Sequence, residues 1–178
     1  MLNAGPDKLY AFLGNEPTAG TPWEYDFLGE PWRAQEVVRR AVLQLYSALP
    51  GDLPGNDDLG QTSAWYVFAA LGLYPEVPGV GGLVIGSPLF PRVMLHLAGD
   101  AVTISAPRAL DTTPYVQGLR IDGRPYARPW LPLSALACGA DLRFDLGATP
   151  NKTWGAAPGA APPWFDAAPL RARSRPLP

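Results

Sequence analysis

Two polar stretches interrupt an otherwise apolar first half of the chain. One is Gly14-Asn15-Glu16-Pro17, followed closely by Trp23-Glu24-Tyr25-Asp26. The other is Pro54-Gly55-Asn56-Asp57-Asp58-Leu59-Gly60-Gln61. Each sets carboxylates and amides beside glycines. Such oxygens are the donors that calcium takes, and a carboxylate held by a loop can also take a proton from an attacking water. The same residue types do plain structural work. Asn or Asp ahead of a helix accepts hydrogen bonds from the free N–H groups of its first turn and offsets the helix dipole. Asn56, Asp57 and Asp58 stand just before a helical pattern, so from the residues alone both readings stay open. The regular one-three-five acidic spacing of a helix–loop–helix calcium site is missing. Trp65 reads as core; Trp23, in a polar loop, reads equally as core or as a stacking platform.

Other chemistries find little support. A serine triad would have to use His96, the single histidine, which lies in a strand-like run with no nucleophile elbow nearby. Cys138, the single cysteine, has no internal partner and reads as a small apolar residue at a strand edge. Lys and Arg number 14 against 16 Asp and Glu, a formal net charge of −2. No basic stripe is visible, which argues against a nucleic-acid partner. No apolar run approaches the roughly 20 residues of a membrane-spanning helix, so no membrane partner is expected either. Met1-Leu2-Asn3-Ala4-Gly5-Pro6 has neither the basic region nor the apolar core of a signal peptide.

The elements that must position the polar stretches fall into three regions. Residues 1–79 read as helical with long loops. Pro31 suits a helix first turn, and Ala34, Val37, Val38, Ala41, Val42 and Leu45 recur at three- and four-residue spacing up to Leu49. Arg33, Glu36, Arg39, Arg40 and Gln44 lie mostly off that face. Pro50-Gly51 ends this helix. A second helix is expected over 61–71, apolar nearly all round and therefore buried on most sides, with Gly72 and Pro75 as its stop.

Residues 80–155 switch to period two. Leu83 to Ile85, Arg92 to Leu97, Val102 to Ile104, Tyr115 to Ile121, Arg124 to Trp130 and Asp141 to Leu146 read as five or six strands of a small antiparallel sheet. Asp122-Gly123 is a strong two-residue hairpin signal. Residues 156–178, rich in Ala and Pro, are expected to lack a fixed fold, with Trp164 and Phe165 docking locally. The expected class is α+β.

Ordered blocks along the chain carry a family resemblance. They are Leu2-Asn3-Ala4-Gly5-Pro6, Gly14-Asn15-Glu16-Pro17, Pro22-Trp23 with Tyr25, Pro31-Trp32 with Gln35, Pro54-Gly55-Asn56-Asp57-Asp58 with Gly60, Ser63-Ala64-Trp65-Tyr66-Val67, Ala70-Leu71-Gly72-Leu73-Tyr74-Pro75, Gly86-Ser87-Pro88-Leu89-Phe90, and Pro150-Asn151-Lys152 with Trp154-Gly155. Together they resemble the C-terminal stretch of family 92 glycoside hydrolases, from residue 2 to about 155. Each block alone is weak, and the ordered set is specific.

That resemblance implies calcium-dependent exo-α-mannosidases that invert the anomeric carbon of mannose-containing glycans. It implies the last helices of an (α/α)₆ barrel over 1–79, then a small β-sheet domain over 80–155. The acidic loop before the second helix would supply the general base, Asp58 first and Asp57 second. Asn15 and Glu16 would contact the sugar, with Asn15 and Asn56 near the calcium ion. Trp23 would be a further sugar contact and Gln61 an orienting residue. The resemblance places the general acid, most calcium ligands and a β-sandwich in an upstream portion, so Met1 reads as an internal methionine and the chain alone as inactive. Two departures stand out. Thr18-Ala19-Gly20 replaces the histidines many relatives carry, which puts linkage preference in doubt, and Leu59 replaces a cysteine. A second reading makes the β domain a carbohydrate-binding module contacting sugar through aromatics such as Tyr126 or Trp130, and a third makes the chain an inactive remnant.

Overall fold

The computed structural model describes residues 11–51, 53–97 and 100–165. Tight 3₁₀ turns at Glu16–Thr18 and Thr21–Asp26 lead into helix α1, Pro31–Leu45, and then α2, Gln61–Leu71. Strands follow in order: β1 Leu73–Tyr74, β2 Gly82–Ile85, β3 Arg92–His96, β4 Ala101–Ser105, β5 Tyr115–Ile121, β6 Arg124–Tyr126, β7 Trp130–Pro132 and β8 Ala140–Gly147.

The α+β class holds, but the strands form two sheets, not one. A three-stranded sheet runs β1-β2-β7 and a five-stranded sheet runs β3-β4-β8-β5-β6. The expected strand over 124–130 is divided between them. Arg124 pairs with Ile121 across the Asp122-Gly123 turn, whereas Trp130 pairs with Val84. Pro125 and Pro129 flank the break and cannot donate to a ladder. The sheets are not wholly antiparallel, since β4 and β8 pair in parallel with Ile104 opposite Leu142. That pair lies at the centre of the larger sheet, where buried neighbours reward either direction.

Two apolar clusters hold the layers together. Ile85, Val102, Ile104, Val116, Leu142 and Leu146 lead the one between the sheets; Trp23, Val38, Ala41, Trp65 and Ala69 lead the one under the helices. Helix α1 is stitched to the β layer by polar residues. Gln35 accepts a hydrogen bond from the Val116 N–H at 3.0 Å. Arg39, which the pattern places off the apolar face, is buried instead. Its guanidinium donates to the carbonyls of Leu110 and Pro88, each at 2.8 Å, and to the Ser87 hydroxyl at 2.9 Å.

Helix α1 stops at Leu45, short of the expected Leu49. Tyr46 is extended because its ring stacks on Trp65 at 5.9 Å and its hydroxyl donates to the Thr62 carbonyl at 3.2 Å. His96 lies exposed on β3. Cys138 is an exposed free thiol in the turn just before β8. Residues 156–165 follow a defined irregular path in which Ala160 and Pro162 are buried, while Trp164 and Phe165 stay exposed. The rest of the expected tail, 166–178, lies outside the described residues, as do residues 1–10.

Candidate functional site

The two polar stretches meet through their glycines. Gly14 and Gly55 lie backbone to backbone: a Cβ on Gly55 would stand 2.6 Å from the Gly14 Cα, closer than any side chain tolerates. This approach sets Asn15 and Glu16 on one loop beside Asn56, Asp57 and Asp58 on the other. Asn15, Glu16, Asn56 and Asp57 are exposed; Asp58 and Gln61 are half-buried. The first loop is tied to α2 from below, where the Trp65 indole donates to the Ala19 carbonyl at 2.9 Å.

Asp57 does the capping. Its Oδ1 accepts from the Ser63 N–H at 2.8 Å, and its carbonyl accepts from Gly60 and Thr62, each at 3.1 Å. These are first-turn donors of α2 that would otherwise be unpaired. The Asn56 carbonyl joins in by accepting from the Thr62 hydroxyl at 2.8 Å. Asp58 takes no side-chain part: among the described residues its carboxylate has no hydrogen bond or ion pair. Its backbone is left-handed (φ 48°), as are Leu59 (58°) and Gly60 (91°). The Gln61 side-chain oxygen accepts from the Thr62 hydroxyl at 3.4 Å.

Trp23 is not a sugar platform in this fold. It is fully buried, stacked on Tyr74 at 5.1 Å with parallel planes and tilted against Trp65 at 6.3 Å. The 3₁₀ turn Thr21–Asp26 rolls the ring inward, so aromatic packing decides in favour of core.

Among the described residues, no three His, Cys, Asp or Glu side chains converge on a point that could hold a metal ion. Asn15 and Asn56 offer exposed amide oxygens on adjoining loops, which suits calcium's preference for oxygen. They are fewer than the roughly six to eight ligands that ion takes, so they fit as contributors to a shared site.

Sequence reasoning missed three groups here. Tyr46 reads as part of a helix, yet it stacks under the site, and burial, with Tyr74 and Asp57 adding, raises its phenol above the ordinary range. Asp26, in the first polar stretch, is fully buried and Glu76 half-buried, which only the fold shows. Burial lifts Asp26 well above the usual carboxylate range, with Glu76 adding; burial, with Glu24 adding, pushes Glu76 up to about 7. On the β side, an open groove of about 730 Å³ is lined by Arg124, Tyr126, Arg128 and Trp130. The Tyr126 hydroxyl there donates to the Trp130 carbonyl at 2.7 Å, and the Trp130 indole nitrogen is buried. Both aromatic side chains thus turn their polar ends into the protein.

Comparison with known proteins places this geometry. Residues 3–148 match the glycosyl hydrolase family 92 catalytic domain. A GH92 α-mannosidase of Bacteroides thetaiotaomicron, solved in complex with mannoimidazole, superposes with a TM-score of 0.84 at 33% identity, over 87% of this chain and 20% of the other. A GH92 inverting mannosidase of the same organism superposes with a TM-score of 0.80 at 37% identity, over 86% of this chain and 21% of the other. An uncharacterized secreted glycosidase of Arthroderma benhamiae is 26% identical over 161 residues, which is 88% of this chain and 21% of that protein. The chain thus spans about a fifth of the length of these relatives. With its loops, helices and late strands all falling within the matched region, the chain belongs to glycoside hydrolase family 92.

Proposed function

We propose that the chain forms one wall of the active site of an inverting, calcium-dependent exo-α-mannosidase acting on mannose-containing glycans, with Asp58 as general base. The observation that carries this reading is the division of labour between neighbours. Asp57 is engaged by the Ser63 N–H at 2.8 Å, whereas the Asp58 carboxylate is unengaged among the described residues and held by left-handed backbone. In an inverting hydrolysis such a carboxylate takes one proton from water as the oxygen bonds to the anomeric carbon. An acid on the opposite side, with the two carboxyls roughly 6.5–9.5 Å apart, protonates the departing oxygen.

The remaining roles follow from position. Asn15 and Glu16 contact the sugar from the adjoining loop, and Gln61 orients groups at the start of α2. Asn15 and Asn56 would hold the calcium ion, whose chemistry when bound is coordination of mannose hydroxyls. The general acid and the other calcium ligands would come from the upstream barrel and β-sandwich portion that the family resemblance implies. Apolar surface at the start and on the face of α2 supports this partner: Leu59, in the loop ahead of the helix, is fully exposed and Val67 on the helix is 55% exposed, surface that a further helical layer would cover.

A chimera tests the reading. The matching fifth of the Bacteroides α-mannosidase is replaced by this chain and turnover of an aryl α-mannoside is measured. Activity is expected, with Asp58→Asn lowering kcat by about 10²–10⁴-fold and Asp57→Asn acting mainly on stability. Loss of kcat in Asp57→Asn with retention in Asp58→Asn would overturn the base assignment. Robust turnover by the isolated chain would overturn the placement of the acid elsewhere.

A further inference from the structure

Helix α2 carries two buried hydrogen-bond donors one turn apart, and each reaches a different loop. Thr62 is 1% exposed and Trp65 2%. Polar groups in the interior are costly unless they find partners. Elsewhere around the helices, the Trp23 indole nitrogen and both Asp26 carboxylate oxygens have none among the described residues. Thr62 and Trp65 are satisfied, and by partners outside their own helix. The Thr62 hydroxyl donates to the Asn56 carbonyl at 2.8 Å, six residues back. The Trp65 indole donates to the Ala19 carbonyl at 2.9 Å, 46 residues back. Side chains three positions apart share a helix face, so a single turn of α2 holds both polar stretches.

The first attachment spans the left-handed arch. Asp58, Leu59 and Gly60 lie between the Asn56 and Asp57 carbonyls on one side and Thr62 on the other, which donates to the first through its hydroxyl and to the second through its N–H, at 2.8 and 3.1 Å. Strained backbone persists where its surroundings over-determine it, and these two bonds close the arch at its base. The second attachment ends the turn that carries Glu16. The Ala19 N–H donates to the Glu16 carbonyl at 3.0 Å, and the Ala19 carbonyl is the group Trp65 holds. Tyr46 braces both: its hydroxyl donates to the Thr62 carbonyl at 3.2 Å and its ring stacks on Trp65 at 5.9 Å.

We propose that Thr62 and Trp65 are paired positioning residues: Thr62 sets the Asp58 arch, Trp65 sets the Asn15–Glu16 loop, and one turn of α2 fixes the spacing between them. The kinetic consequences rest on reading Asp58 as the base and Asn15 and Glu16 as sugar contacts; the two loop attachments do not. A misplacement of about 1 Å costs about 10²-fold in rate. Loosening the arch therefore acts on kcat, through the base, whereas loosening the other loop acts on KM, through the sugar.

Two variants test this. Thr62→Val keeps the side-chain shape and removes the donor; Trp65→Phe keeps a stacking ring and removes the N–H. In hydrogen exchange of the 178-residue chain, Thr62→Val should speed segment 57–62 by about three- to tenfold, the worth of one hydrogen bond, and leave 16–20 at the parent rate. Trp65→Phe should do the reverse. In the family chimera, Thr62→Val should lower kcat by about 10–10²-fold with KM near the parent value, and Thr62→Ser should restore it. In an Asp58→Asn background the Thr62→Val loss should vanish, since residues acting as one unit do not add. Trp65→Phe should raise KM several-fold and spare kcat. Exchange that stays at the parent rate or rises equally over both segments overturns the proposal, as does a Thr62→Val loss that persists in Asp58→Asn. Should Trp65→Phe not fold, the parent chain decides that arm: the Trp65 indole proton must exchange more slowly than that of Trp23, which is buried without a partner, and equal rates overturn it. The expected exchange pattern together with an unchanged kcat in Asp58→Asn would sink the base assignment and leave the two attachments standing.

Discussion

Two short runs of this chain occupy left-handed backbone, for different reasons. In the β5–β6 hairpin, Asp122 (φ 50°) and Gly123 (φ 77°) form the two-residue turn that matches the strands' own twist. Asp and Gly enter that region most readily, and the Asp122 carboxylate is used, accepting the Asp141 N–H at 2.9 Å. Before α2, Asp58, Leu59 and Gly60 are left-handed in succession. A leucine there costs roughly 1–2 kcal/mol, and Leu59 recovers nothing by packing, being fully exposed. The hairpin uses special backbone to close a structure. The loop uses it to hold out a carboxylate that no neighbour among the described residues claims. The contrast extends to the layers: the sheet cluster packs Ile104, Leu142 and Leu146 with no exposure, while the region around the helices holds strained backbone, orphan polar atoms and bare apolar surface.

Substitutions can break or sharpen this contrast. The largest effect is expected in the family chimera, where Asp58→Asn lowers kcat by about 10²–10⁴-fold and Asp122→Asn, on the equivalent left-handed residue of the hairpin, leaves kcat unchanged. Next is Leu142→Ala in the sheet core, costing about 2–5 kcal/mol of unfolding free energy by urea titration, against less than about 0.5 kcal/mol for Leu59→Ala on the loop surface. Asp57→Ala should cost about 1 kcal/mol by removing the cap on Ser63, measured the same way, with loss of helical protection in hydrogen exchange at the start of α2. The smallest effects have opposite signs. Gly123→Ala destabilises by about 1 kcal/mol because alanine resists φ 77°, whereas Leu59→Gly stabilises by up to about 1 kcal/mol by relieving the same strain; thermal melting distinguishes them. A destabilising Leu59→Gly would mean that the loop is not strained.

Much of the element order was legible because local patterns agreed with the final fold. Helix α2 spans Gln61–Leu71 as expected, and the Asp122-Gly123 turn is where its residue pair put it. The errors arose where distant partners decided. Tyr46 leaves α1 to stack on Trp65, and Arg39 is buried because carbonyls more than 45 residues away accept its hydrogen bonds. Trp130 joins β2 rather than continuing β6. Of the site, the two polar stretches could be picked out from their residues. Their contact through Gly14 and Gly55 could not, since nothing local announces that two glycines 41 positions apart will touch.

The sequence by itself determined the family, through blocks whose order survives whatever the side chains do in space, and it determined which loops carry the acids. Only the tertiary structure decided among the acids. A carboxylate's role depends on what surrounds it, and identical side chains at Asp26, Asp57 and Asp58 meet a dry interior, a helix end and an unclaimed edge. Burial raises the first, a backbone N–H occupies the second, and the third has no partner among the described residues.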